Sequence, residues 1–264
     1  MRIAVLTDIH GNLPALQAVL AHVQRAGCDA TVNLGDIASG PLWPRETVDF
    51  LMQFRWPTLA GNHERQVLTQ APEHMGPSDA FAAAELGAPQ RQWLSALPPT
   101  AWLDDEVFLC HGTPDSDLVY WLDSVTTDFG RGGSRGMRAA TQQEAQQRLG
   151  TGPATRAGLA LCGHTHRPRT LQLDRGPLVV NPGSVGLQAY DDDHPHLHHV
   201  ENGSPHARYA MVERSPQGWQ VEHRAVTYDW EQAAQRAEAN GRPDWADALR
   251  TGRMGRTATP GRRA

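Results

Sequence analysis

Five times in this chain a short apolar run with the pattern of a β-strand breaks off at glycine, carboxylate, amide or imidazole. Met1–Leu6 runs into Thr7-Asp8-Ile9-His10-Gly11-Asn12, and the run through Asn33-Leu34 ends in Gly35-Asp36. Thr58-Leu59-Ala60 leads to Gly61-Asn62-His63-Glu64, Phe108-Leu109-Cys110 to His111-Gly112, and Leu161-Cys162 to Gly163-His164-Thr165-His166. Side chains alternate along a strand, so Asp8 and His10 point the same way if the first strand persists that far. A carboxylate and an imidazole aimed at one point beyond a sheet need a third group between them. Singly the blocks are weak signals, Gly163-His164-x-His166 being the stronger because two imidazoles on one turn are costly to bury uncompensated. Five in order put oxygen and nitrogen ligands where α/β sheets open their binding crevices.

The segments between the blocks fit that architecture. Residues 13–26 have helical spacing between Asn12 as N-cap and Gly27 past the end. Strands at 2–7, 30–34 and 57–60, with helices at 13–26 and 44–54, form a βαβαβ pattern and hence a parallel sheet. Residues 77–97 read as two helical pieces broken at Gly87-Ala88-Pro89, and 100–110 as a strand pair around Asp104-Asp105. Gly130–Gly136 reads as a loop and 141–148 as a helix, followed by strands at 158–162, 169–173, 177–181, 207–214 and 218–226. C-terminal helices follow within 229–250, split at Gly241-Arg242-Pro243. Residues 1–250 are expected to form one domain, and the basic, Gly/Pro-rich stretch 251–264 a disordered tail.

Charge narrows the function classes. A net charge of −5 gives no basic surface for a nucleic-acid polymer, although a metal-lined cleft can still be positive on an acidic protein. Every apolar run is far shorter than the ~20 residues of a membrane span, and the first is too short for a signal peptide. Three cysteines, Cys28, Cys110 and Cys162, form no disulfide framework, which fits the cytoplasm. By strand alternation Cys110 points away from His111, so Cys110 and Cys162 are expected in the core.

Asp8-x-His10, Gly35-Asp36, Gly61-Asn62-His63-Glu64, His111 and Gly163-His164-x-His166 resemble the five signature blocks of the calcineurin-like metallophosphoesterases. The likeness extends over about residues 1–190, and Asn181–Gly186 is similar to a loop of that family's small bacterial members. It implies a four-layer α/β/β/α sandwich with a binuclear metal centre. Asp8, His10 and His166 would hold one metal, Asn62, His111 and His164 the other, and Asp36 would bridge them. His63 would not bind metal but face the phosphate and the leaving group. The implied activity is hydrolysis of a small phosphoester by a hydroxide shared between the metals, with Asp36 and His63 as the catalytic pair. The third group that Asp8 and His10 require would then be a metal ion.

Two carboxylates, four imidazoles and one amide oxygen, without a thiolate, suit two divalent ions. Mn²⁺ or Fe is expected, and Co²⁺, Ni²⁺ and Zn²⁺ are compatible. Protein serine/threonine phosphatases and dinucleotide tetraphosphatases of that family resemble one another in two phosphate-clamping arginines, beside the Gly-Asp and Gly-Asn-His-Glu blocks. Here those stretches contain Ser39 and Ala60. The expected substrate is therefore a small phosphodiester of nucleotide or cyclic-nucleotide type. A phosphomonoesterase or protein phosphatase is the alternative, and a non-catalytic scaffold, like a retromer-coat subunit of this fold, ranks last. Asn62, His63, Asn12, Arg131 and Arg135 are candidate substrate contacts, with Arg138 on the same loop. Asn12 is a helix cap or a contact. The His- and Asp-rich stretch 191–199 is expected to be a solvated loop and not a further metal site.

Overall fold

The computed structural model describes residues 1–255. The first part of the chain runs β1 (Arg2–Leu6), α1 (Leu13–Ala26), β2 (Ala30–Asn33), α2 (Pro44–Leu51), α3 (Asn62–Thr69), α4 (Pro77–Glu85) and α5 (Ala88–Ser95). The middle part comprises β3 (Thr100–Trp102), β4 (Val107–Cys110), β5 (Asp123–Val125), β6 (Met137–Ala139), α6 (Gln142–Leu149), β7 (Leu159–Leu161), β8 (Arg169–Gln172) and β9 (Leu178–Asn181). Then follow β10 (Ala189–Asp192), β11 (His198–Glu201), β12 (Ala207–Ser215), β13 (Gly218–Val226), α7 (Trp230–Ala239) and α8 (Pro243–Thr251). No helix among the described residues is long and apolar enough to cross a membrane.

Two mixed sheets form the centre. One has the order β13-β12-β1-β2, with β1 parallel to β2 and antiparallel to β12. The other has the order β3-β4-β7-β9-β8, with β4, β7 and β9 parallel. Strand alternation sorts the side chains into layers. Ile3 and Val5 of β1 join Leu109, Leu159, Leu161 and Val180 in a core between the sheets. Ala4 and Leu6 face the opposite way, against Leu16 and Val19 of α1 and Ala233 of α7. On the outer face of the other sheet, Phe108, Cys110, Ala160 and Cys162 pack with Trp121 and with Ala145 and Leu149 of α6. The result is a helix–sheet–sheet–helix sandwich closed by α7 and α8, and both strand-end cysteines lie in its core, as the alternation implied.

α1 begins where Asn12 accepts the Ala15 N–H and ends at Gly27, whose N–H reaches the Val23 carbonyl. Four expectations need correction. The expected strand at 57–60 is reduced to one bridge, Asn33 with Thr58, because Pro57 has no N–H to donate to the ladder. Gly61–Glu64, expected only as the end of that strand, opens α3, the Glu64 side chain accepting the Gly61 N–H at 2.8 Å. The 191–199 stretch is a solvated loop only at 193–197, an exposed turn. It forms the β10–β11 hairpin, with Asp191 opposite His199 and Asp192 opposite His198, and His198 is fully buried. The expected tail starts too early: Thr251 belongs to α8, and Met254 packs on the core, its N–H bonded to Glu201. The remainder of that expected tail, 256–264, lies outside the described residues.

Candidate metal centre

The ends of β1, β2, β4 and β7 come to one place. The Asp8 N–H donates to the Gly35 carbonyl, the Ile9 and His10 N–H groups share the Asp36 carbonyl, and the Gly163 N–H reaches the His111 carbonyl. Glu64 ties the crossing together, accepting the Asp36, Ile37 and Gly61 N–H groups, each at 2.8 Å. The loop 181–186 braces it from the far side. Asn181 donates to the Gly163 carbonyl and Ser184 to that of Asp8. Space is minimal: a Cβ on Gly61 would lie 2.2 Å from Asp36 Oδ1.

Two buried groups result, Asp8 with His10 and His166, and Asp36 with His111 and His164, the ligand atoms within each lying within 4.8 Å of one another. Asp36 Oδ2 stands between them, 3.1 Å from His111 Nε2 and 4.0 Å from His10 Nε2. The amide oxygen of Asn62 is 3.1 Å from His111 Nε2. Among the described residues five non-glycine residues have positive φ, Asp8, His10, Asp36, His164 and His166, and all five are candidate ligands. That conformation costs on the order of 1 kcal/mol per residue and persists only where surrounding structure enforces it. Such strain concentrated on five donors marks a functional site.

The imidazoles are oriented from behind. Nδ1–H of His10 donates to the Ser39 carbonyl at 2.8 Å, that of His111 to Leu34 at 2.9 Å, and that of His166 to Leu187 at 2.8 Å. His164 uses the other nitrogen, Nε2, toward the Leu118 carbonyl at 3.2 Å, which leaves Nδ1 for the centre. Carbonyls accept only, so each bond fixes one N–H outward and turns the other ring nitrogen toward the centre. His10 Nε2 and His166 Nε2 then face each other 3.1 Å apart as two acceptors. Two acceptors at that distance repel unless a cation lies between them. The donor set fits two metal ions.

Burial pulls His10 down to about 4 and His164 to about 3, and holds His166 well below its usual value, so these three are neutral ligands at pH 7. Burial acts the same way on His111 and His63, but the Asp36 charge overrides it, raising His111 to about 10 and His63, helped by Asp79, to about 9. Burial pushes Asp8 up, whereas Asp36 stays well below the carboxylate range through the surrounding histidines, despite its burial.

Metal-free protein should therefore be most stable near neutral pH. Below about 6.5 the unfolded chain protonates His10, His164 and His166 while the folded one resists, so stability falls in acid. Above neutrality the folded chain retains protons on His63 and His111 that the unfolded one releases, so stability falls again toward pH 9–10. Thermal melts of chelator-treated protein from pH 5 to 9 check this, and a Tm that only rises with pH would contradict it.

A cleft of about 880 Å³ opens over the centre, with His10, Asp36, Asn62, His63, His164 and His166 on its walls. Asp8 and His111 lie beneath it, at most 2 % exposed. His63 Nδ1–H donates to Asp79 Oδ1 at 2.8 Å, and its backbone N–H to Asp36 Oδ1 at 3.0 Å. Asp79, in the first turn of α4, escaped sequence reasoning: it is 5 % exposed, belongs to no block, and lies sixteen residues from the His63 it contacts, which leaves no local signal. Tyr120 and Tyr190 were missed for the same reason. Their rings lie 4.9 Å from that of His164 and 4.7 Å from that of His166.

The remaining candidates are not on the cleft. Asn12 is fully buried, its amide spent on Gly186 and Tyr228 and its oxygen on the Ala15 N–H, so it is a cap. Arg135 turns to Glu201 and Arg138 to Glu144, and neither these nor Arg131 line the cavity. Arg148 and Arg242 do line it. Arg148 donates to the Trp121 and Asp123 carbonyls and to Ser124, and Arg242 pairs with Asp244 and Ser78.

A family model described as calcineurin-like phosphoesterase matches residues 1–168. An uncharacterized protein of Methanocaldococcus jannaschii is 39% identical over 66 residues, 25% of this chain, and the chain spans only 27% of that relative's length. The crystal structure of a metallophosphoesterase from Sphaerobacter thermophilus, 24% identical, superposes with a TM-score of 0.70 over 96% of this chain and 100% of its own. An archaeal phosphodiesterase is more distant, 14% identical with a TM-score of 0.45 over 86% of this chain and 100% of its own.

Proposed function

The chain belongs to the calcineurin-like phosphoesterase family, and on that footing we propose that it hydrolyses small phosphodiesters at the cleft over Asp36 and His63. The observation that carries this reading is the convergence of two buried Asp/His groups on one accessible cleft, with acceptor atoms facing one another. Asp8, His10 and His166 would hold one metal, and Asn62, His111 and His164 the other, with Asp36 shared. When bound, such a pair supplies Lewis acidity toward the phosphoryl oxygens and a nucleophile at neutral pH.

The chain's own groups supply the rest. Asp79 holds the His63 ring by Nδ1 and, together with the Asp36 charge, keeps it cationic, which leaves Nε2–H for the substrate. As the P–O bond to the leaving group breaks, that proton passes to the departing oxygen and His63 becomes neutral. Asp36 fixes the backbone N–H of His63, so the donor is registered to the metal-holding carboxylate. A scaffold has no use for a cationic histidine held by a buried carboxylate at a cleft wall.

The choice of diester rests on charge. A monoester is a dianion near neutrality and gains from bidentate arginines. Ser39 and Ala60 stand at the clamp positions, and the arginines on the cleft wall are engaged by Asp244, Ser78, Ser124 and backbone carbonyls. We expect bis-p-nitrophenyl phosphate to give a higher kcat/KM than p-nitrophenyl phosphate, measured with Mn²⁺, Fe²⁺, Co²⁺ and Zn²⁺ restored to metal-free protein. Equal or greater efficiency on the monoester would make this a monoesterase.

A further inference from the structure

Leu118 and Val119 are adjacent, 53% and 43% exposed, and both line the cleft. Only Met1, Met52 and Leu197 are comparably exposed large hydrophobics among the described residues. Isolated exposed apolar side chains are ordinary, but a contiguous pair inside a cleft beside a catalytic centre marks a binding groove. The apolar surface continues onto Tyr120 and Tyr190, which share the wall. It also starts at the centre: the Leu118 carbonyl accepts the Nε2–H of His164.

The shelf is preformed. Arg65 holds Asp117 through two bonds of 2.7 and 2.9 Å, the Leu118 N–H reaches Ser116 Oγ, and the Tyr120 hydroxyl lies 2.8 Å from that of Tyr190 and 3.0 Å from His198 Nε2. Gly112 lets the strap fold back, since a Cβ there would lie 2.6 Å from the Ser116 carbonyl and 2.8 Å from that of Val119. A wall held this way loses little conformational entropy when a ligand covers it. The wall beyond it carries Asp191, Asp192 and Glu144 beside His194 and Arg148, and Arg148 is engaged by the Trp121 and Asp123 carbonyls and by Ser124. A second phosphate there would meet Asp191 directly, while His194 is paired with Asp192 and Asp193.

We propose that Leu118, Val119, Tyr120 and Tyr190 form a subsite for an uncharged, apolar or aromatic arm of the phosphoester, carried beside the phosphoryl group in place of a second phosphate. This rests on the cleft being a phosphoesterase site, and the test separates the two readings. Calorimetric titration of metal-loaded protein with phenylphosphonate and methylphosphonate reads the arm without turnover. Phenyl should bind ~10-fold more tightly than methyl. Leu118→Ser/Val119→Ser should bring that ratio to within ~2-fold, and because both side chains are exposed the variant should melt like the parent. 4-Carboxyphenylphosphonate should bind more weakly than phenylphosphonate. In parallel, kcat/KM is measured for phenyl and methyl diesters sharing a p-nitrophenolate leaving group. Equal phosphonate affinities, or a phenyl preference that survives the double substitution, would overturn the subsite even if diesters are hydrolysed. A phenyl preference lost in the variant, with no diester turned over, would keep the subsite and overturn the phosphodiesterase reading.

Discussion

Asp36→Asn is expected to purify with well under the two metal equivalents of the parent and to lose activity by ~10³-fold or more. Two dications a few ångströms apart repel strongly in a buried site, and the carboxylate between them offsets that repulsion. Asp36 Oδ2 occupies that place, 3.1 Å from His111 and 4.0 Å from His10. An amide keeps the shape and can still accept the His63 N–H, so the fold should survive while the charge is lost. The loss should also appear in His111, which Asp36 holds protonated without metal, so its imidazolium signal in NMR titration of the metal-free protein should move to lower pH. Elemental analysis decides the matter: two full equivalents in Asp36→Asn would remove Asp36 from the bridge.

His63→Ala should separate chemistry from metal binding. We expect metal content to stay at the parent level while kcat drops by ~10²–10⁴. Metal loss equal to that of His111→Ala would make His63 a ligand. Asp79→Asn tests the partner. It retains an acceptor for Nδ1–H but removes one of the charges that, with Asp36, raise His63, so we expect kcat to fall ~10–10²-fold. The sign of the accompanying pH effect is fixed. A general acid must be protonated, so activity declines as pH rises through its pKa, and lowering that pKa moves the alkaline limb to lower pH. An unchanged limb in Asp79→Asn would detach Asp79 from catalysis.

Seven candidate donors could be read from the chain because their signals are local. Asp8 and His10, or His164 and His166, are two residues apart beyond a strand, and the apolar run before each pair names the strand. The layering was legible for the same reason: period-two alternation sends Ile3 and Val5 one way and Ala4 and Leu6 the other. The family likeness rests on the same blocks, within the matched residues 1–168.

Other features have no local cause. Arg131, Arg135 and Arg138 form a basic loop in sequence, but none of them lines the cleft, Arg135 being engaged by Glu201 of β11 and Arg138 by Glu144 of α6. The 191–199 stretch has the composition of a loop. It becomes a hairpin because backbone pairing and the burial of His198 outweigh weak strand propensity. Asp79 meets His63 across sixteen residues and Tyr120 meets Tyr190 across seventy, distances at which neither spacing nor pattern carries information. Sequence by itself determined the strands of the two central sheets, their faces and the donors at their ends, since φ, ψ and alternation are set by near neighbours. Tertiary structure alone decided which groups orient and wall the site, since partners distant along the chain meet only when the sheets pack.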